Sequence, residues 1–221
     1  MTVLNKQKVG LFGGTFDPVH DGHVAVARHV LAYCDIQYIL FIPAPHPPHK
    51  KITSASFTQR VDMLNLALQG EQQMRVSLIE NEYPGLSYTV RTIKELKQRR
   101  HDVEYYLIIG ADSLVDLPQW YKAKELIALV HLIVAGRDKV AMPAVEKTIT
   151  SFHIPYTSCA TGNKWVLKNG NTIQYLSDLE WPVSSSELRR QLAQGKRPTM
   201  MSPAVYRYIV ENKLYLHTGS S

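Results

Sequence analysis

The chain is poor in the features that mark secreted and membrane proteins. Only two of its 221 residues are cysteine, Cys34 and Cys159. Two isolated cysteines build neither a disulfide framework nor the paired spacing of a zinc site. No apolar run approaches the roughly 18 residues of a membrane-spanning helix, and no signal peptide opens the sequence. The expectation is therefore a protein of the reducing cytoplasm. Internal repeats, low-complexity tracts and linkers are also missing, so 221 residues fit a single α/β domain. Neither of the commonest phosphate-loop patterns, GxxxxGK[ST] and GxGxxG, occurs.

Positive charge is in better supply. There are 25 Lys+Arg against 19 Asp+Glu, a formal charge of +6. Such an excess suits nucleic acid, an anionic membrane or a polyphosphate ligand. The basic residues are scattered, with one dense run at Lys97–His101 (KQRRH). It closes a helical pattern, where cations complement the helix C-terminus, and it reads as a solvated face. A nucleic-acid-binding module remains the alternative of another class, but RRM, KH and helix-turn-helix signatures are lacking.

The stretch that organises the rest is Val9 to His23, VGLFGGTFDPVHDGH. Val9, Leu11 and Phe12 read as the end of a short strand. Gly13 and Gly14 follow, residues that let backbone turn tightly or approach a ligand closely. Thr15 to Pro18 read as a turn, and Val24, Val26, Ala27, Val30 and Leu31 as the apolar face of a helix. Strand, glycine turn and helix N-terminus together make a place for a phosphate. His20 and His23, three residues apart near the first helical turn, can aim both rings one way. As a metal site the pair lacks a third ligand nearby.

Strands are expected at Val9–Phe12, Ile36–Ile42, Arg75–Ile79, Tyr105–Ile109 and Val130–Ala135, and late ones at Trp165–Leu167 and Thr172–Tyr175 around Asn169-Gly170-Asn171. Helices are expected at Gly22–Tyr33, Phe57–Leu68, Tyr88–Leu96, Lys122–Ala128, Ser184–Leu192 and Pro203–Asn212. Pro43–Lys51 (PAPHPPHKK) is a proline-stiffened loop, and residues 137 to 175 carry few signals. Strands alternating with helices give an α/β fold, doubly wound and Rossmann-like, with a mostly parallel sheet, helices on both faces and a small helical C-terminal part. Ligands of such sheets sit at the strands' carboxyl ends. The glycine pair, the proline loop and Gly110-Ala111-Asp112 all follow such ends.

The string GGTFDPVHDGH after a first strand resembles the nucleotidylyltransferase superfamily, whose members carry [HT]xGH here. Within it, the sequence looks most like the bacterial nicotinate mononucleotide adenylyltransferases. Further segments carry that likeness. Val183–Arg189 (VSSSELR) is similar to the superfamily's ISSTxIR, although Ser184 and Glu187 alone could be a helix cap. Pro47-Pro48-His49-Lys50 resembles the family's PPHK, Ser87-Tyr88-Thr89 its SYT, and Gly110–Trp120 (GADSLVDLPQW) its GADxxxxLPxW; Arg60 and Met63 also match. The sequence departs from the family's R-P-G after the Val130 strand, having Arg137-Asp138-Lys139.

The resemblance implies one nucleotidylyltransferase domain over 1–221, with the phosphate motif in its helical part from about 183 to 216. It implies adenylyl transfer from ATP to nicotinate mononucleotide, giving deamido-NAD and pyrophosphate. His20 and His23 would meet the α- and β-phosphates and Arg189 the β- and γ-phosphates, with Ser184, Ser185 and Ser186 beside them. Gly13, Gly14, Thr15 and Phe16 would meet ATP through the backbone, together with Gly110, and Asp112 would accept from ribose hydroxyls. Lys50, Tyr88, Thr89 and Trp120 would hold the acceptor. Mg²⁺ would come with ATP, without a protein metal cage. Small-molecule substrates, no nucleic acid, no membrane, and a monomer or homodimer complete the expectation. The nearer alternative changes only the acceptor, to nicotinamide mononucleotide, phosphopantetheine or glycerol phosphate; His20 argues against phosphopantetheine enzymes, which carry TxGH.

Overall fold

The computed structural model describes residues 6–48, 53–136, 142–177, 179 and 183–216. Alternating apolar runs and amphipathic stretches build eight strands and eight helices among these residues. They are β1 (Gln7–Gly14), α1 (Asp21–Tyr33), β2 (Tyr38–Pro43), α2 (Phe57–Ala67), β3 (Met74–Val76), α3 (Thr89–Arg99), β4 (Val103–Gly110) and α4 (Ala111–Asp116). Then come α5 (Ala123–Leu129), β5 (His131–Ala135), α6 (Met142–Ser151), β6 (Tyr156–Ser158), β7 (Lys164–Leu167), β8 (Thr172–Leu176), α7 (Ser185–Ala193) and α8 (Pro203–Glu211). Short 3₁₀ turns lie at Ile79–Glu82 and Leu117–Gln119.

The strands form one sheet in the order β3-β2-β1-β4-β5-β8-β7-β6. All pairs from β3 to β8 are parallel, while β7 and β6 close the edge antiparallel. Alternation along each strand divides the core between the two faces. Val9, Leu11, Tyr105, Leu107, Leu132 and Val134 pack beneath α3, α4, α5 and α6. Ile39, Phe41, Ile108 and Ile133 pack beneath α1, α2, α7 and α8. The C-terminal helices thus complete the second layer, with Val205 and Ile209 buried beside Met63 and Leu64.

Order reverses at β1: β2 and β3 lie on one side, β4 and β5 on the other. A crevice opens at that switch point, at the carboxyl ends. Here the structure corrects a local expectation. Gly13 and Gly14 do not turn; they are the last residues of β1, in register with Ile42 and Pro43 of β2. The turn comes later, where Phe16 takes a left-handed φ of 49° and a cis bond joins Asp17 to Pro18. A Cβ on Gly14 would sit 3.0 Å from the Phe16 ring, so this glycine is required by the ring folding back over it. The third strand is also shorter than expected, and α6 and β6 were unforeseen.

Candidate active site

The carboxyl ends of β1, β2 and β4 open into a cleft of about 630 Å³. Gly13, Gly14 and Thr15 form one wall and Ala44, Pro47 and Pro48 another. Ser87, Tyr88, Thr89 and Trp120 also line it. Four expected groups therefore meet: the glycine pair with Thr15, the proline loop, the start of α3, and the tryptophan. Tyr88 is the N-cap of α3 and offers no side-chain cap. The first N–H groups of that helix begin at the cleft-lining Thr89. The Tyr88 ring lies 4.5 Å from that of Tyr121, and the Arg91 guanidinium sits over the Tyr88 ring, 5.4 Å from its centroid. Trp120 is half-buried and packs against the core.

A second, more polar group surrounds the Thr15–Pro18 turn. His20 caps α1 and is buried. His23 lies one turn on, its ring stacked on His20 with centroids 3.6 Å apart. His23 Nδ1 accepts from the His20 backbone N–H at 3.2 Å. A neutral His23 ring must then carry its proton on Nε2, as a donor. Gly22 makes the stack possible, since a Cβ there would come within 2.8 Å of Val183 and 3.0 Å of His20 Nδ1.

The start of α7 is tied to the same turn. Ser184 caps the helix, accepting from Glu187 N–H at 3.2 Å. Glu187 leaves the expected capping box half made, bonding Arg190 and Gln191 instead. Ser185 donates to Pro18 O at 2.8 Å. Arg189 donates to Asp17 O at 2.6 Å and to Ser186 Oγ at 3.1 Å. The guanidinium is thereby fixed beside the histidine-bearing turn, and Ser185 has its one proton committed.

Two buried charges hold this region, and no sequence argument gave them a role. Asp17 accepts from Ser54 N–H (2.8 Å), Ala55 N–H (3.0 Å) and the Tyr215 hydroxyl (2.7 Å). Burial and the bond to Asp17 push the Tyr215 hydroxyl well above its usual range. Arg60 is fully buried and donates to Thr15 O at 2.6 Å and Ala44 O at 2.9 Å, joining the glycine wall to the proline loop. Desolvation lowers its pKa, an effect opposed by nearby Asp17. A third group missed by sequence is Glu80, a half-buried carboxyl in the cleft wall.

Gly110 caps α4 and Asp112 is exposed in its first turn. An Asp112 carboxylate oxygen would lie 2.3 Å from a Cβ at position 110, so only glycine lets that carboxyl fold back. The cleft is lined by Ile109 and Ser113 on either side of them. Lys50, His49 and the Arg137-Asp138-Lys139 segment lie outside the described residues. Among the described residues no three His, Cys, Asp or Glu side chains gather as a metal site, and no helix is long and apolar enough to cross a membrane.

A cytidylyltransferase-like family model matches residues 11–191. A Bacillus subtilis protein named nicotinate-nucleotide adenylyltransferase is 35% identical over 216 residues, covering 95% of this chain and 98% of its own length. In three dimensions the chain is similar to the Plasmodium falciparum nicotinic acid mononucleotide adenylyltransferase complexed with NaAD, with TM-score 0.75 at 18% identity over 95% and 97% of the two chains. The same Plasmodium enzyme complexed with APC gives TM-score 0.72, also at 18% identity and the same coverage.

Proposed function

The chain belongs to the cytidylyltransferase-like family and to its nicotinate-nucleotide adenylyltransferases, and from that premise we propose how its cleft carries out the reaction. The protein transfers the adenylyl group of ATP to nicotinate mononucleotide, giving deamido-NAD and pyrophosphate. The observation that supports the reading is that β1, whose end lines an aromatic cleft with the uncapped start of α3, leads directly into the stacked His20–His23 pair at the start of α1.

The acceptor's 5′-phosphate oxygen attacks the α-phosphorus of ATP in line, and pyrophosphate leaves. The attacking group is already anionic, so no enzyme nucleophile is needed. The protein's task is to hold two repelling anions together and to stabilise charge on the leaving group. His20 and His23 meet the α- and β-phosphates, His23 through the Nε2 proton that its Nδ1 bond enforces. Arg189, aimed by Asp17 O, meets the β- and γ-phosphates, with Ser184 and Ser186 beside it. Ser185 supports this helix start through Pro18 O. Gly13, Gly14, Thr15 and Phe16 line ATP with backbone, Gly110 lets backbone approach, and Asp112 accepts from ribose hydroxyls.

The pyridine ring stacks on Trp120, and its carboxylate meets the Thr89 hydroxyl and the first N–H groups of α3. Lys50 meets the acceptor phosphate. Mg²⁺ would come with ATP, held chiefly by phosphate oxygens, and would offset their charge; the histidine and arginine side chains here supply no carboxylate for it. The whole chain acts as one nucleotidylyltransferase domain in the cytoplasm, as monomer or homodimer. Pyrophosphate release with ATP and Mg²⁺, measured over a panel of phosphorylated acceptors, tests the reading. Turnover with nicotinate mononucleotide is expected; turnover confined to another acceptor overturns it.

A further inference from the structure

The 3₁₀ turn Ile79–Glu82 carries a carboxyl that the mechanism above does not use. Glu80 lines the cleft beside Ser87, Tyr88, Thr89 and Trp120. The Thr92 hydroxyl donates to Glu80 Oε1 at 2.6 Å, and Ser87 lines the same wall, its hydroxyl favouring the ionised carboxyl. Ser87 in turn exchanges two bonds with the proline loop: its N–H donates to His46 O at 2.9 Å, and its Oγ accepts from His46 N–H at 3.3 Å. One carboxyl therefore stands where three separate segments meet: the first turn of α3, the Ser87–Thr89 approach to it, and the loop that follows β2. Burial pushes the Glu80 carboxyl above its usual range, and the two hydroxyls oppose that push.

We propose that Glu80 is a positioning residue for the acceptor: by holding Thr92 it fixes the α3 start, beside which Ser87 docks the Ala44–Pro48 loop. The proposal rests on the acceptor occupying this part of the cleft. A carboxylate in the wall of a site for an anion would repel its ligand if it faced it bare. Here the Thr92 hydroxyl proton covers it, and its charge orients the segment whose N–H groups meet the ligand. Losing such a grip leaves the donors in place but loosens their aim, which weakens acceptor binding far more than ATP binding.

The test uses the full-length protein as wild type, Glu80→Ala, Glu80→Gln and Thr92→Val. For Glu80→Ala the KM for nicotinate mononucleotide should rise about tenfold or more, with the KM for ATP within about twofold, as expected from losing hydrogen bonds to a charged group. Glu80→Gln keeps an acceptor for Thr92 and should recover most of the loss; Thr92→Val should fall between. Without ligand, amide exchange at Ser87 should quicken in Glu80→Ala and return towards wild type in Glu80→Gln. Acceptor and ATP KM rising together, or unchanged exchange at Ser87, would overturn the proposal. If Glu80→Ala does not fold, Glu80→Gln and Thr92→Val decide by the same two readouts. A wild type that adenylylates no pyridine mononucleotide removes the functional premise, and amide exchange still judges the docking on its own.

Discussion

The two ends of the site proposed above are built on opposite plans. At its proposed phosphate end the polar groups are anchored to backbone: Asp17 by two N–H groups, Arg60 by two carbonyls, Arg189 and Ser185 by the carbonyls of Asp17 and Pro18. At the acceptor end the surfaces are aromatic faces and a helix start without a side-chain cap. The difference follows from what each end must do. Charge that develops during a reaction is stabilised best by dipoles already in place, because any donor that must reorient costs energy at that moment. A flat pyridine ring needs mainly area and a few donors at one edge. Under the proposed function the rigid end would supply rate and the aromatic end choice.

Choice offers the largest effect. The acid and amide forms of the acceptor differ only at the ring substituent. Donors at the start of α3 suit a carboxylate, whereas an amide sets its own NH₂ against them. The one carboxyl lining that wall among the described residues, Glu80, accepts from the Thr92 hydroxyl. Leaving buried donors unpaired costs several kcal/mol, so kcat/KM should favour nicotinate over nicotinamide mononucleotide by roughly 10³-fold or more. Thr89→Pro sharpens the point. Thr89 is the first residue of α3, where proline is well tolerated. Tyr88 before it, at φ −87° and ψ 117°, already has the extended backbone that a following proline demands. The helix should persist while one N–H and the hydroxyl vanish, and the acid–amide gap should narrow. Equal kcat/KM for the two acceptors in the wild type would end the division of labour.

Rate comes second. His20→Ala or His23→Ala should lower kcat by roughly 10²–10³-fold, the usual loss of one preorganised donor. Unfolding curves matter here because the two rings also stack and share the helix cap. Near-normal turnover in either variant would make them capping residues only.

The sequence revealed these two ends unequally. Parallel strands buried on both faces leave near-continuous apolar runs, so β4 (YYLII) and β5 (HLIVA) could be read directly. The motifs at His20, Thr89, Trp120 and Arg189 were legible through family likeness. The glycine pair was misread because glycine permits a turn without requiring one, and pairing with β2 decided the outcome. Helix α6 (MPAVEKTITS) hid behind β-branched residues that suit strands; burial of Val145, Thr148 and Ile149 along one face overrides that preference. Arg60 and Glu80 were opaque for another reason. Their partners, such as Thr15 for Arg60 and Thr92 for Glu80, are distant in sequence, and an Arg or Glu in isolation reads as surface.

Arg189 lies between the two plans, since its fork is shared between Asp17 O and Ser186 Oγ. Lysine keeps the charge but cannot hold both partners and a phosphate in one plane. Arg189→Lys should raise the KM for ATP about tenfold, the scale of a bond to a charged group, and leave the acceptor's KM within about twofold. Steady-state kinetics with each substrate varied in turn measures both. Unchanged ATP kinetics would make Arg189 a surface helix residue; a matching rise for the acceptor would mean the two ends are mechanically coupled.

Trp120 should give the smallest effect and the cleanest contrast. It closes the Leu117–Gln119 turn, its N–H donating to Leu117 O at 2.9 Å, and it lines the cleft. Stacking over a cationic pyridinium contributes on the order of 1–2 kcal/mol. That interaction involves the ring, which the acid and amide acceptors share, and not the substituent that distinguishes them. Trp120→Ala should therefore raise the KM of both acceptors about tenfold while their ratio stays within about twofold of the wild-type value. Trp120→Phe, which keeps a smaller π-face, should recover part of the loss and guard against a general loosening of the core that Trp120 packs against. A ratio that collapses in Trp120→Ala would show that the aromatic wall also selects the substituent, and selection could no longer be assigned to the start of α3 alone.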